Sequence, residues 1–295
     1  PNGFTYLDSF EFHHYPVFNF QTPEVYLSKT IIPIHGSNIS LVKYKVLKAT
    51  CSFKFEVKPF VAAKDFHHVT RAHQDINIIP PSNHCEVVIH TYNQSFPIFV
   101  HIPGSTFLSN PDWYYNFHLE RELERGLPNS EDLFCPGKFT MVLSEGDVVY
   151  AAVSLESLVD RNLEELHKRD FTYRSHSVKK FQSSSVQTRL AIAAEQFIVK
   201  REDDYSILAG YHWFSDWGRD AMIALPGICL ATGKYNVAKS IIDSFIKHIS
   251  DGMIPNRFPD KNEEPEYNTI DASLWLFNAC FKYYEYTKDL TTIVY

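Results

Sequence analysis

The sequence predicts a multi-domain chain, with a β-sandwich first and a helical domain after it. Three observations lead there. The apolar period is 2 up to about residue 153 and 3.6 from about residue 155. The chain has 295 residues, enough for two domains at ~100–200 residues each. Strands run together and then helices run together, which indicates segregated domains rather than alternating βαβ units.

In the first half, Cys51, Phe53, Phe55 and Val57 alternate with Ser52, Lys54, Glu56 and Lys58, as in a half-buried antiparallel strand. Short runs of the same kind occur at 25–32, 41–47, 85–91, 97–102, 138–143 and 147–153, punctuated by Pro and Gly. Strands of this number and spacing predict a sandwich. One helical insertion is expected over 112–125, ahead of the stop at Gly126-Leu127-Pro128. Residues 155–168 read as a charged amphipathic helix, and 172–183 as a polar, Ser-rich connector. Four more helices are expected over 184–200, 220–232, 236–250 and 269–287; the third carries Val237, Ile241, Ile242 and Phe245 on one stripe. The expected division is 1–153 for the sandwich, 154–183 for a linker helix and connector, and 184–295 for the helical domain.

Composition narrows the function. Lys and Arg number 28 against 35 Asp and Glu, a net charge of −7, which argues against a nucleic-acid or anionic-membrane partner. Five scattered cysteines show no CxxC spacing, so reduced thiols in a cytoplasmic protein are expected, with neither a zinc site nor a disulfide framework. No apolar run reaches the ~18 residues of a membrane span. The chain starts at Pro1 and stops at Tyr295 just after a helical pattern closes, so an internal fragment is expected. Aromatic residues make up 15% of the chain, which suits stacking on sugar rings and core filling equally.

Two segments could carry chemistry. Residues 209–220 bring Tyr211, Trp213, Phe214, Trp217, Asp216, Arg219 and Asp220 into one loop before a helix. They read either as a helix terminus with aromatics packed behind it or as a sugar subsite. In the subsite, Trp213 and Trp217 would face a pyranose, and Arg219 and Asp220 would bind its hydroxyls. The second segment holds Asn256, Arg257, Glu263, Glu264, Glu266, Tyr267, Asn268 and Asp271. Asp271 follows Thr269, a candidate N-cap, and reads either as a dipole-favoured surface carboxylate or as a general acid. In the second case Trp275, four residues on, and Tyr267 would bury the carboxyl, which keeps it protonated. A cluster of His67, His68 and His73 suggests a metal only weakly, because Arg71 lies among them and adjacent strand residues point to opposite faces. No phosphate loop or nucleophile elbow is present.

Residues 209–227 (AGYHWFSDWGRDAMIALPG), 252–258 (GMIPNRF) and 267–275 (YNTIDASLW) resemble glycogen debranching enzymes with amylo-α-1,6-glucosidase activity. So do 6–20 (YLDSFEFHHYPVFNF), 65–72 (DFHHVTRA) and 124–137 (ERGLPNSEDLFCPG), which resemble the bacterial and archaeal members in the same order. The resemblance implies a β-supersandwich followed by an (α/α)6 toroid of the glucoamylase kind. It also implies inverting hydrolysis by two carboxylates of the α-1,6-linked glucose at a branch point of glycogen or related α-glucan, without cofactor or metal. Position by position, Asp271 falls at the general acid. Trp217, Arg219 and Asp220 fall where the terminal glucose is held, and Asn256 and Arg257 at the toroid mouth; Trp213 and Trp275 belong to the same blocks.

His212 stands where Pro is usual in this family. The general base belongs beyond Tyr295, so this chain by itself is expected to be inactive. The helix over 269–287 is then expected to expose apolar residues such as Leu274, Phe277 and Phe281. Nothing in these 295 residues resembles the separate transferase barrel of eukaryotic members, so outer-chain transfer is not expected of them. Two alternatives stay open: another glucoamylase-like hydrolase, such as a trehalase or α-glucosidase, and a non-catalytic α-glucan-binding module.

Overall fold

The computed structural model describes all residues except Pro1, Ala63, 65–67, 80–84, 92–95, 182–184, Glu202, 259–263 and 292–295, together with the side chain of Lys180. His67 and Glu263 therefore lie outside the described residues. The chain divides into two compact units, Pro1–His176 and Ser177–Tyr295.

The first unit contains, in chain order, β1 (Leu7–Phe12), β2 (Pro16–Gln21), β3 (Val25–Pro33), β4 (Ile39–Ala49), β5 (Phe53–Val57), β6 (Asn77–Ile79), β7 (Glu86–His90), β8 (Ile98–His101), β9 (Thr106–His118), α1 (Glu120–Glu124), β10 (Ser130–Leu143), β11 (Val148–Ser154) and α2 (Leu163–Ser177). Eight strands form one antiparallel sheet in the order β1-β2-β3-β4-β11-β8-β7-β6, and β5-β10-β9 form a second. The alternating run around residue 55 is β5, whose register on β10 pairs Phe55 with Met141. Val87, Ile89, Val100 and Ala151 from the large sheet share one buried cluster with Phe107, Phe134 and Phe139 from the small one, so the two sheets enclose a core as a sandwich does.

Two expectations fail in this unit. The helix expected over 112–125 is a strand for half its length. Trp113 and Tyr114 pair with Phe134 and Leu133 of β10, and only Glu120–Glu124 coil. Aromatic residues fit a pleated, half-buried surface, and that partner outweighs a short helical pattern. The helix expected over 155–168 forms later, as α2, and is no free linker. Leu158 and Leu163 are buried with Tyr15, Ile32, Ile39, Leu41 and Ala152. The buried Asp170 carboxylate accepts hydrogen bonds from Tyr15 Oη (2.6 Å), the His35 amide (2.7 Å) and Arg174 Nε (2.6 Å).

The second unit contains α3 (Ser185–Gln196), β12 (Ile198–Arg201), β13 (Asp204–Gly210), β14 (Phe214–Asp216), α4 (Gly218–Leu225), a π-helical turn Pro226–Leu230, α5 (Tyr235–Lys247) and α6 (Asp271–Thr287). The helix expected over 184–200 stops at Gln196. Ile198–Arg201, Asp204–Gly210 and Phe214–Asp216 form an antiparallel β12-β13-β14 sheet that the 3.6-residue pattern had hidden. Ala221, Met222 and Leu225 of α4 pack with Ile241, Ile242 and Phe245 of α5 and Ala272, Leu276 and Ala279 of α6. On the opposite face of α6, Leu274, Phe277 and Phe281 are exposed among the described residues, Phe277 at 73%, with Ile270 just before them. Among the described residues no helix is long and apolar enough to cross a membrane, and no group of three His, Cys, Asp or Glu side chains converges as a metal site.

Candidate active site

Chain geometry brings the two chemistry-bearing segments together. Trp217 precedes α4 in extended conformation (φ −113°, ψ 131°) and bridges Arg257, which in turn bridges Glu266. The Gly218 amide donates to the Asn256 carbonyl (2.8 Å), the Asn256 amide to the Glu266 carbonyl (2.7 Å), and the Glu266 amide to the Arg257 carbonyl (3.0 Å). Gly218 is where two backbones meet. A Cβ there would lie 2.1 Å from the Pro255 carbonyl oxygen and 3.1 Å from the Phe245 ring, so only glycine permits this approach. Ser273 Oγ accepts the Ile254 amide at 3.0 Å and ties the same loop to α6.

The first turns of α4 and α6 then face each other. Arg219 Nη1 lies 3.5 Å from Asp271 Oδ2, with the side chains 47% and 44% exposed. A pair this open is worth ~0.2–1 kcal/mol and can be exchanged for a ligand. Asp220, in the first turn of α4, is half-buried. Trp275 follows Asp271 by one turn and is 37% exposed. Arg257 Nη1 pairs with Glu266 Oε1 at 3.3 Å.

Several expectations change here. Asp271 is not buried between Trp275 and Tyr267. Its carboxylate is almost half open and its near charge is the Arg219 guanidinium, while Tyr267 turns away to donate to the His248 carbonyl (2.7 Å). Thr269 does not cap α6: the N-cap position is Ile270, without a side-chain cap, and Thr269 Oγ1 is buried with no partner among the described residues. Asn256 is 4% exposed and donates from Nδ2 to Asn268 Oδ1 (2.8 Å), so it stands behind the rim as a clamp rather than on the sugar-facing surface. Trp213 lies on the turn between β13 and β14, with His212 at 4.4 Å between ring centroids. Neighbouring Tyr211 donates to the Gln196 carbonyl (2.7 Å), and burial raises its phenol pKa.

One residue of the 209–220 segment, placed there by the sequence without a role, turns out to be a support of the site. Asp216, 2% exposed, accepts Arg201 Nη1 at 3.0 and 3.2 Å and Ser206 Oγ at 2.8 Å, and so anchors the strand that delivers Trp217. The partner was not legible, since Arg201 lies on a strand that the periodicity concealed.

A family model described as the N-terminal part of glycogen debranching enzyme matches residues 1–150. A second, described as amylo-alpha-1,6-glucosidase, matches residues 192–295. The chain belongs to the glycogen debranching enzyme family. A glycogen debranching enzyme of Saccharomyces cerevisiae is 38% identical over 94 residues, covering 30% of this chain and 6% of that protein. A bacterial glucoamylase, solved as a complex with acarbose, superposes with a TM-score of 0.52 at 12% identity, over 92% of this chain and 45% of that one. At that identity the likeness shows the fold alone. The chain thus spans less than half of each relative. The site blocks at 209–227, 252–258 and 267–275 all fall inside the segment that matches the glucosidase model.

Proposed function

We propose that this chain carries the sandwich and the first part of the catalytic toroid of a cytoplasmic amylo-α-1,6-glucosidase, acting on branch points of glycogen or a related α-glucan. The observation that carries the reading is the convergence of Arg219 and Asp271, 52 residues apart in sequence, from the first turns of two helices at 3.5 Å. Two helix N-termini offer amide donors to sugar oxygens, and the guanidinium and carboxylate add directed donors and acceptors. The apolar stripe of α6 supports the toroid, because a following helix would cover it.

In this reading Asp271 is the general acid. It gives its proton to the glycosidic oxygen as the C1–O bond breaks, and a water activated by a second carboxylate attacks C1 from the opposite face. Inversion requires the two carboxyl groups ~6.5–9.5 Å apart, with room for that water. The second carboxylate belongs to the rest of the protein. Trp217, Arg219 and Asp220 hold the terminal glucose, with Arg257, Trp213 and Trp275 around it. An entering hydroxyl takes Arg219 from Asp271. With the guanidinium withdrawn and bulk water displaced by the sugar, the carboxyl takes up the proton that it then gives to the leaving oxygen.

The test is Asp271→Asn in the complete protein, reading glucose release from a branched limit dextrin beside trehalose and linear maltodextrin. The expected loss in kcat on the dextrin is about 10³-fold or more with KM little changed, since the amide keeps shape but cannot donate the proton. A loss under about tenfold, ~1.4 kcal/mol, returns Asp271 to an ion-pairing role. Preference for trehalose or maltodextrin moves the protein to another glucoamylase-like class. Glucan retention without any hydrolysis makes it a binding module.

A further inference from the structure

The first unit has a cavity of about 390 Å³ between the β3–β4 turn and α2, within the ~300–1,000 Å³ range of small-ligand sites. Its walls are held by charge-assisted bonds. The buried Asp170 carboxylate accepts the His35 amide at 2.7 Å, and Arg174 Nη2 donates to the Pro33 carbonyl at 2.7 Å, so the turn is locked to the helix. Preorganised walls of this kind reduce the ordering cost of binding.

The lining is mixed in a specific way. His35 and Tyr173 stack with ring centroids 4.2 Å apart at 22°, and Ile34 and Leu166 add apolar surface. Arg161 and Arg169 line the same cavity, and neither guanidinium has a carboxylate partner among the described residues, whereas Arg174 is paired with Asp170. Glu156 lines it too. A bare anion would meet Glu156 as a like charge. A sugar hydroxyl both donates and accepts, so it satisfies arginines and a glutamate together, and a pyranose face matches the aromatic and aliphatic surface.

We infer that this cavity is a second α-glucan site, on the sandwich, gripping a short stretch of glucan chain without taking part in hydrolysis. It rests on the proposed glucan substrate. A branched polymer presents many chain ends, so a second grip raises its residence time with no change at the reacting bond.

Calorimetric titration of the full chain with maltoheptaose tests it, using wild type, Tyr173→Ala, Arg169→Ala and Arg219→Ala, with thermal melts as the folding check. The expected result is a binding class weakened at least tenfold by Tyr173→Ala and by Arg169→Ala but kept by Arg219→Ala. Arg169 is an exposed side chain, so its variant reads the site even if Tyr173→Ala perturbs packing. Maltoheptaose binding unchanged in both cavity variants overturns the inference and leaves the glucosidase reading standing. Binding of inorganic phosphate, lost in Arg169→Ala, with no maltoheptaose binding overturns it in favour of an anion site. No binding of either by wild type also overturns it, and glucose release by the complete protein then decides separately whether the glucosidase reading survives.

Discussion

Gly218→Ala is the smallest change that tests how the candidate site is built. The added Cβ would stand 2.1 Å from the Pro255 carbonyl oxygen, well inside van der Waals contact, and that neighbour is backbone rather than a side chain that can rotate away. The Phe245 ring at 3.1 Å closes the other side, and Phe245 is itself buried in the α4–α5–α6 core. Relief requires the 255–257 loop to separate from α4, which breaks the 2.8 Å bond from the Gly218 amide to the Asn256 carbonyl. Overpacking costs ~1–3 kcal/mol and a lost buried hydrogen bond ~1 kcal/mol more, so the expected destabilisation is about 2–4 kcal/mol. For a unit of the size of Ser177–Tyr295, that corresponds to a fall in its Tm of roughly 8–16 °C. Differential scanning calorimetry of wild type and variant reads the shift, and glucose release by the complete protein should fall with it. A Tm within 2 °C of wild type, with activity kept, would show that the loop yields freely and that Gly218 does not hold the site.

Other outcomes follow from the same structure. Asp216→Ala leaves Arg201 and Ser206 without their acceptor; because Arg201 is one-third exposed, a loss of about 2–3 kcal/mol is expected, read by urea titration of the second unit. Burial lowers the pKa values of His14, His101 and His167 in the first unit. Below pH ~6.5 the unfolded chain therefore binds protons before the folded one, and stability present above that pH is lost as pH falls through the folded values. Melting midpoints that stay flat from pH 7.5 to 5 would contradict this. Burial pushes the thiols of Cys229 and Cys280 up to about 12 and about 11, so at pH 8 a disulfide reagent should label exposed Cys51 in the native protein and these two only after unfolding.

The sequence was informative wherever one face of an element decides its period. The alternation read from Cys51 to Lys58 holds β5 over Phe53–Val57, and the stripe of Ile241, Ile242 and Phe245 is the buried face of α5. It was silent where a distant partner decides. Ile198–Arg201 follows directly on α3 and satisfies a helical pattern as well as a strand, until Asp204–Gly210 folds back beside it. Asp112, Trp113 and Tyr114 lie in a helix-like stretch, and Cys135, Phe134 and Leu133 make them a strand. At the site, residue types were legible but not their work. Asn256 and Asp271 are both polar residues in family blocks, yet one is buried behind the rim and the other is half open upon it. That difference depends on the Asn268 amide and the Arg219 guanidinium, whose positions no local spacing encodes.

The blocks at 209–227, 252–258 and 267–275 belong to one object for a physical reason. Each is weak by itself: one opens a short helix, one is a turn, and one opens a longer helix. Hydrogen bonds through the backbone of Asn256 join the first to the segment at Glu266, and Ser273 joins the turn to α6. The side-chain pair Arg219–Asp271 adds little energy at its exposure, so it does not assemble the site. The backbone ladder and the Gly218 approach assemble it, and the charged pair is placed as a consequence. Under the proposed glucosidase reading, a pair held in this way releases its members to the sugar while the loop and both helix termini stay in position.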